Sequence, residues 1–140
     1  MEYTSLKHLW EQHAVNITAY AAQHGQEKIL PGIFCDCAGT LFDHQDKIKP
    51  EILDFFQNTR KERKWDGYII SSDLKRFMLQ LMDVKLDPMT TPMHDKKNLK
   101  GFMVDGYAME FLLDDDLKPA LPHVTHIEPN NLLKILRLTV

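Results

Sequence analysis

The sequence predicts an α/β fold: three layers built on a mainly parallel sheet of about five strands. Two observations carry that expectation. Short apolar runs, "LPGIFC" at 30–35, "GYII" at 67–70, "MEFLL" at 109–113 and "HVTHI" at 123–127, alternate with stretches of helical periodicity. Such alternation implies right-handed crossovers and a parallel sheet covered on both faces. In addition, three of these strands end in polar residues: Asp36, then Ser71, then the run Asp114, Asp115 and Asp116. Ligands of such sheets bind at the carboxyl ends of the strands near the switch point, so the fold itself would gather these groups at one edge.

The elements follow in order. Leu6, Leu9, Trp10, Ile17, Tyr20 and Ala21 recur at helical spacing and Gly25 supplies a stop, which gives an N-terminal helix within 1–25. The first strand follows at about Leu30 to Cys35. Pro50 suits a first helical turn and precedes Ile52, Leu53, Phe55 and Phe56, a second helix. After "GYII", the stripe Leu74, Phe77, Met78, Leu81 and Met82 predicts a third helix, with Ser71 or Ser72 as its cap. Pro88 and Pro92 restrict the segment from Asp83 to His94 to a short edge strand and then a loop. Two more strands and a helix from Asn130 to Leu138 complete the chain. The organisation is a single domain over 1–140, with a core at 29–128 and a C-terminal helix at 129–140.

At 140 residues one domain can bury roughly two-thirds of its unfolded-state surface without disulfides or structural metals. The net charge of −3 gives no expectation of nucleic-acid binding, and the short basic run Arg60, Lys61, Arg63, Lys64 reads as the solvated end of a helix. Cys35 and Cys37 are the two cysteines, spaced i,i+2 on a predicted buried strand, where they share a face and pack as apolar groups. The five methionines from Met78 to Met103 read as core packing. There is no signal-peptide pattern and no apolar run long enough for a membrane span, so a cytoplasmic location is expected. His123 and His126 would face opposite sides of a strand, which argues against a joint metal site. Composition leaves the oligomeric state open.

A carboxylate at the end of a buried strand can attack phosphorus and split one displacement into two easier steps. Asp36 is that candidate. Gly39 would let the backbone turn and bring N–H groups to the phosphoryl oxygens, and the Thr40 hydroxyl would hold the loop or its aspartate. Asp114 and Asp115 offer the hard oxygens that Mg²⁺ takes, and a lysine from Lys96, Lys97 or Lys100 would complete the charge compensation.

Taken together, these motifs resemble the haloacid dehalogenase-like superfamily, mostly phosphatases with a Rossmann-like core, across about residues 29–128. "IFCDCAGTLF" looks like its first motif, "YIIS" its second, "KNL" its third and "EFLLDDD" its fourth. The resemblance implies Asp36 as nucleophile, Ser71 and Lys97 on the phosphate with Lys100 next in line, and Mg²⁺ on Asp36, the Ala38 backbone carbonyl, Asp114 and Asp115. Members differ in cap domains inserted after the first or second motif. Only residues 43–66 separate "GTLF" from "GYII", and 72–96 separate Ser71 from Lys97, so the chain resembles the capless type. An open site implies a phosphorylated macromolecule such as a phosphoprotein, or an aryl phosphate such as phosphotyrosine.

The chain departs from that pattern at Ala38, where the family carries a second aspartate that protonates the leaving oxygen and later activates water. Such assistance is worth on the order of 10²- to 10⁴-fold. Three readings follow: a phosphatase whose leaving group needs little protonation or whose acid comes from Asp43 or His44; a phosphate- or protein-binding pseudoenzyme; or an introduced inactivating change. Phosphonoacetaldehyde hydrolases carry alanine at this position, but they need a cap with a Schiff-base lysine, for which this chain has no room.

Overall fold

A computed structural model describes residues 2–84, 86, 90–95, 103–104, 107–115 and 124–138. Helix α1 is Leu6–His24: the Ser5 hydroxyl accepts the His8 N–H at its start, and Gly25 ends it at φ +92°, a conformation that a side chain would strain. A 3₁₀ turn, Gln26–Lys28, leads into β1, Ile29–Asp36. Helix α2 is Pro50–Arg63, with proline in the first turn, where its missing N–H costs nothing. Then come β2 (Asp66–Ser71), α3 (Leu74–Asp83), β3 (Thr90–Asp95), β4 (Met103–Val104), β5 (Tyr107–Leu113), β6 (Thr125–Ile127) and α4 (Pro129–Arg137).

The sheet runs β3-β2-β1-β5-β4, with β6 also paired to β5. β1 pairs in parallel with β2 and β5, β2 with β3, and β5 with β6, while β4 runs antiparallel to β5. The architecture is therefore α/β on a mainly parallel sheet, as expected, but with six strands where about five were anticipated. The added strand is β4, a two-residue arm on β5 that is too short to show periodicity. The proline-bearing strand lies at the sheet edge, next to β2, where the missing N–H of Pro92 is tolerable.

Pleating divides β1 between two cores. Ile33 and Cys35 join Ile69, Phe111, Leu113 and Ile127 in one cluster, which also holds Leu9 of α1, Phe55 and Phe56 of α2, Phe77 and Leu81 of α3, and Leu132 and Ile135 of α4. Phe34 points the other way, stacked on Tyr68 at 4.4 Å between ring centroids and grouped with Ile70, Met109, Leu112 and Val124. Among the described residues all four helices contribute to the first cluster and none to the second, so the described helices account for the cover of one face of the sheet.

Three further expectations are corrected. Phe77 and Leu81 are buried, but Met78 and Met82 are 47% and 74% exposed, because the core-facing strip of α3 is narrower than the periodic stripe. Met89, Met93 and Met103 have side chains outside the described set. Arg60 is buried and donates to the Trp65 carbonyl, so only Lys61, Arg63 and Lys64 form the exposed end of α2. Asp73, not Ser71 or Ser72, occupies the cap position of α3, with no side-chain cap bond. Cys35 and Cys37 are buried free thiols, as expected. No helix among the described residues is long and apolar enough to cross a membrane.

One buried polar contact ties α1 to the sheet. His13 Nε2 lies 3.1 Å from Glu110 Oε1 on β5, among the rings of Trp10, Trp65 and Phe111. Removing one member of such a buried pair leaves the other without its partner. Glu110→Ala is expected to lower stability by about 3 kcal/mol, read from the midpoint of urea unfolding at unchanged slope.

Candidate functional site

The ends of β1, β2 and β5 meet. Ile70 pairs with Asp36 and Cys35 with Leu113, so Asp36, Ser71 and Asp114 leave neighbouring strands at nearly the same level. Asp36 and Asp114 are buried and Asp115 is exposed, and one carboxylate oxygen from each lies within 4.8 Å of the others. Like charges so close together and partly out of water repel one another unless a cation compensates them. Three hard oxygens this close could hold a metal ion, and carboxylate oxygens are the ligand type that Mg²⁺ takes. This is the association that the strand ends led one to expect.

Thr40 organises the cluster. It is wholly buried; its hydroxyl donates to Asp36 Oδ2 at 3.3 Å and accepts the Asp115 N–H at 3.0 Å. A single side chain thus holds the end of β1 to the residue after Asp114. Gly39 turns the loop at φ +77°, and a Cβ there would collide with the Asp115 carboxylate. Its N–H donates to Phe42 and that of Thr40 to Cys37, so the expected delivery of these N–H groups to a phosphoryl oxygen is not observed. Both are consumed in closing the loop.

Asp114 is fixed from β6: its N–H donates to the Ile127 carbonyl, and its own carbonyl accepts from His126 Nε2 at 2.9 Å. A carbonyl only accepts, so Nε2 is the donor in this contact. His126 acts here through Asp114. His123, Asp116, Lys96, Lys97 and Lys100 lie outside the described residues.

Ser71 is buried beside the acids. Its hydroxyl accepts the Asp73 N–H at 3.0 Å and is hydrogen-bonded to the Cys37 thiol. Burial, with the neighbouring Asp36 charge, pushes Cys37 up to about 12, and burial pushes Cys35 up as well. Both remain neutral thiols at physiological pH, which suits packing and not nucleophilic attack.

Ala38 is exposed at the mouth of the cluster. Of the two residues expected to serve as an acid near Ala38, Asp43 is engaged in a turn. Its Oδ1 accepts the N–H groups of Gln45 and Lys47, and those backbone bonds hold its carboxyl below the usual range, which favours the ionised form over a proton donor. His44 is exposed on the same turn. The turn is fastened to α3 by the Arg76–Asp46 ion pair, by Gln80 donating to the Asp46 carbonyl at 2.7 Å, and by Phe42 against Phe77 at 4.5 Å.

Compared with protein-family models, with curated proteins and with solved structures, the chain has no match. Its chemistry must be argued from the site. A groove of about 560 Å³ lined by Trp10, Asp54, Phe55 and Arg63 opens between the helices instead, and none of the three clustered acids lines it.

Lys49 is the site neighbour that the sequence reading missed. Half-buried at the start of α2, it donates from Nζ to the Gly39 carbonyl at 3.4 Å. Its position directly before Pro50 was the available signal: a helix that begins there returns its first residue to the preceding loop.

Proposed function

We propose that the chain is a capless haloacid dehalogenase-like phosphomonoesterase that works with Mg²⁺. The observation carrying this reading is the cluster of Asp36, Asp114 and Asp115 oxygens within 4.8 Å, held at the ends of adjacent parallel strands by Thr40. Mg²⁺ held by these carboxylates, with the Ala38 carbonyl as a further ligand, would offset the negative charge of a phosphoryl group. Asp36 is the nucleophile: one carboxylate oxygen bonds to phosphorus as the bond to the leaving oxygen breaks, and water then hydrolyses the aspartyl-phosphate. The Thr40 bond to Oδ2 orients that carboxylate. Ser71 sits beside it to meet a phosphoryl oxygen, and Lys97, with Lys100 next, is the proposed phosphate lysine. The exposed mouth suits a phosphorylated macromolecule or an aryl phosphate, and the neutral, unbridged thiols suit a reducing cytoplasm.

Ala38 supports a second reading, a phosphate- or protein-binding module without turnover. Phosphate release from phenyl phosphate separates the two. Release that requires Mg²⁺ and stops on chelation supports the enzyme; saturable phosphate binding with no release over hours supports the module. The metal half is checked by melting. Mg²⁺ at about 100 times its Kd is expected to stabilise the fold by about 2.7 kcal/mol. Asp114→Asn should abolish that Mg²⁺-induced rise in melting temperature.

A further inference from the structure

The loop that leaves β1 returns to its own beginning at Lys49. The Lys49 N–H donates to the Leu41 carbonyl, and its Nζ reaches the Gly39 carbonyl at 3.4 Å. Gly39 lies against the Asp115 carboxylate and directly follows Ala38, whose methyl is exposed. An ammonium group therefore stands at the carbonyl of the residue that follows Ala38, the position that would otherwise carry the acid. Among the described residues the contact with Gly39 uses one of its three N–H bonds, and two more can meet a substrate.

We propose that Lys49 is the leaving-group residue of this site, a fixed positive charge that stabilises the departing oxygen in place of an acid at position 38. The inference rests on the phosphomonoesterase reading. As the Asp36 oxygen bonds to phosphorus, the electron pair of the breaking bond passes to the leaving oxygen. Lys49 holds that oxygen as an oxyanion by hydrogen bonding and charge, and solvent protonates it on release. In the second step water attacks phosphorus, the aspartyl oxygen departs with its electrons, and the water proton passes to solvent. Lys49 transfers no proton in either step. A charge of this kind favours leaving groups that tolerate being anions, so the substrate class is aryl phosphates, whose phenols have a pKa of about 10, over alkyl phosphates.

The test is the dependence of kcat/KM on leaving-group pKa, across phenyl phosphates from nitro- to methyl-substituted, with saturating Mg²⁺. Lys49→Met is expected to lower kcat/KM about 10²-fold for the poorest leaving group and only a few-fold for the best, steepening the dependence. Lys49→Gln, which can still donate to Gly39 but carries no charge, should behave like Lys49→Met; Lys49→Arg should restore the shallow slope. Melting curves check that each variant folds. An equal loss for every substrate, or full rescue by Lys49→Gln, would show a loop contact and overturn the inference while leaving the enzyme standing. A wild-type chain silent on every substrate removes the enzyme reading and this inference with it.

Discussion

Asp36→Asn should abolish Mg²⁺-dependent phosphate release, lowering kcat by about 10⁴-fold or more, as removal of a nucleophile does elsewhere. The substitution is nearly isosteric. An amide oxygen can still accept from the Thr40 hydroxyl, which now lies 3.3 Å from Oδ2, so the loop keeps its anchor. What is lost is the charged oxygen that attacks phosphorus. The stability effect should have the opposite sign. Asp36, Asp114 and Asp115 bring three carboxylates within 4.8 Å, two of them buried, and neutralising one relieves repulsion in the metal-free chain. The variant is therefore expected to melt at or above the wild type in chelator, to gain less from Mg²⁺, and to form no acyl-phosphate detectable by hydroxylamine trapping. A variant that melts lower and is inactive would show an unfolded site and say nothing of the nucleophile. A variant that melts normally and retains turnover would remove Asp36 from the chemistry.

The residues that made this site legible are those whose roles are set locally. Asp36, Ser71 and Asp114 end buried β-rich runs, and parallel pairing with matched strand ends then brings them together without further information. Gly25, Pro50 and Gly39 likewise mark a stop, a start and a turn through their own backbone preferences. What escaped the sequence depends on contacts between distant segments. Arg60 reads as a solvated cation until the Trp65 carbonyl is seen to claim it. Met78 and Met82 share a periodic stripe with Phe77 and Leu81 yet face water, because periodicity does not state how wide a strip of α3 is covered. His126 carries no signal for its bond to the Asp114 carbonyl, which exists only through the pairing of β5 with β6. The face that each described helix covers escaped for the same reason: alternation of strand and helix does not state which face each crossover takes.

Ala38→Asp is the complementary experiment, because it adds the carboxylate that the resembled pattern carries and this chain lacks. The position is exposed beside the acid cluster, so a carboxyl group fits without displacing core atoms. General acid–base assistance is expected to raise kcat for alkyl phosphates by about 10²- to 10⁴-fold, and by much less for nitrophenyl phosphate, whose oxygen leaves readily unprotonated. The gain must also interact with Lys49. If a fixed charge and an acid serve the same leaving oxygen, Lys49→Met should cost far less in the Ala38→Asp background than alone, a non-additivity measurable by a double-mutant cycle. Additive effects would place the two residues on separate functions and leave Lys49 with the loop. No gain from Ala38→Asp in a chain that already turns over aryl phosphates would mean that leaving-group departure does not limit its rate.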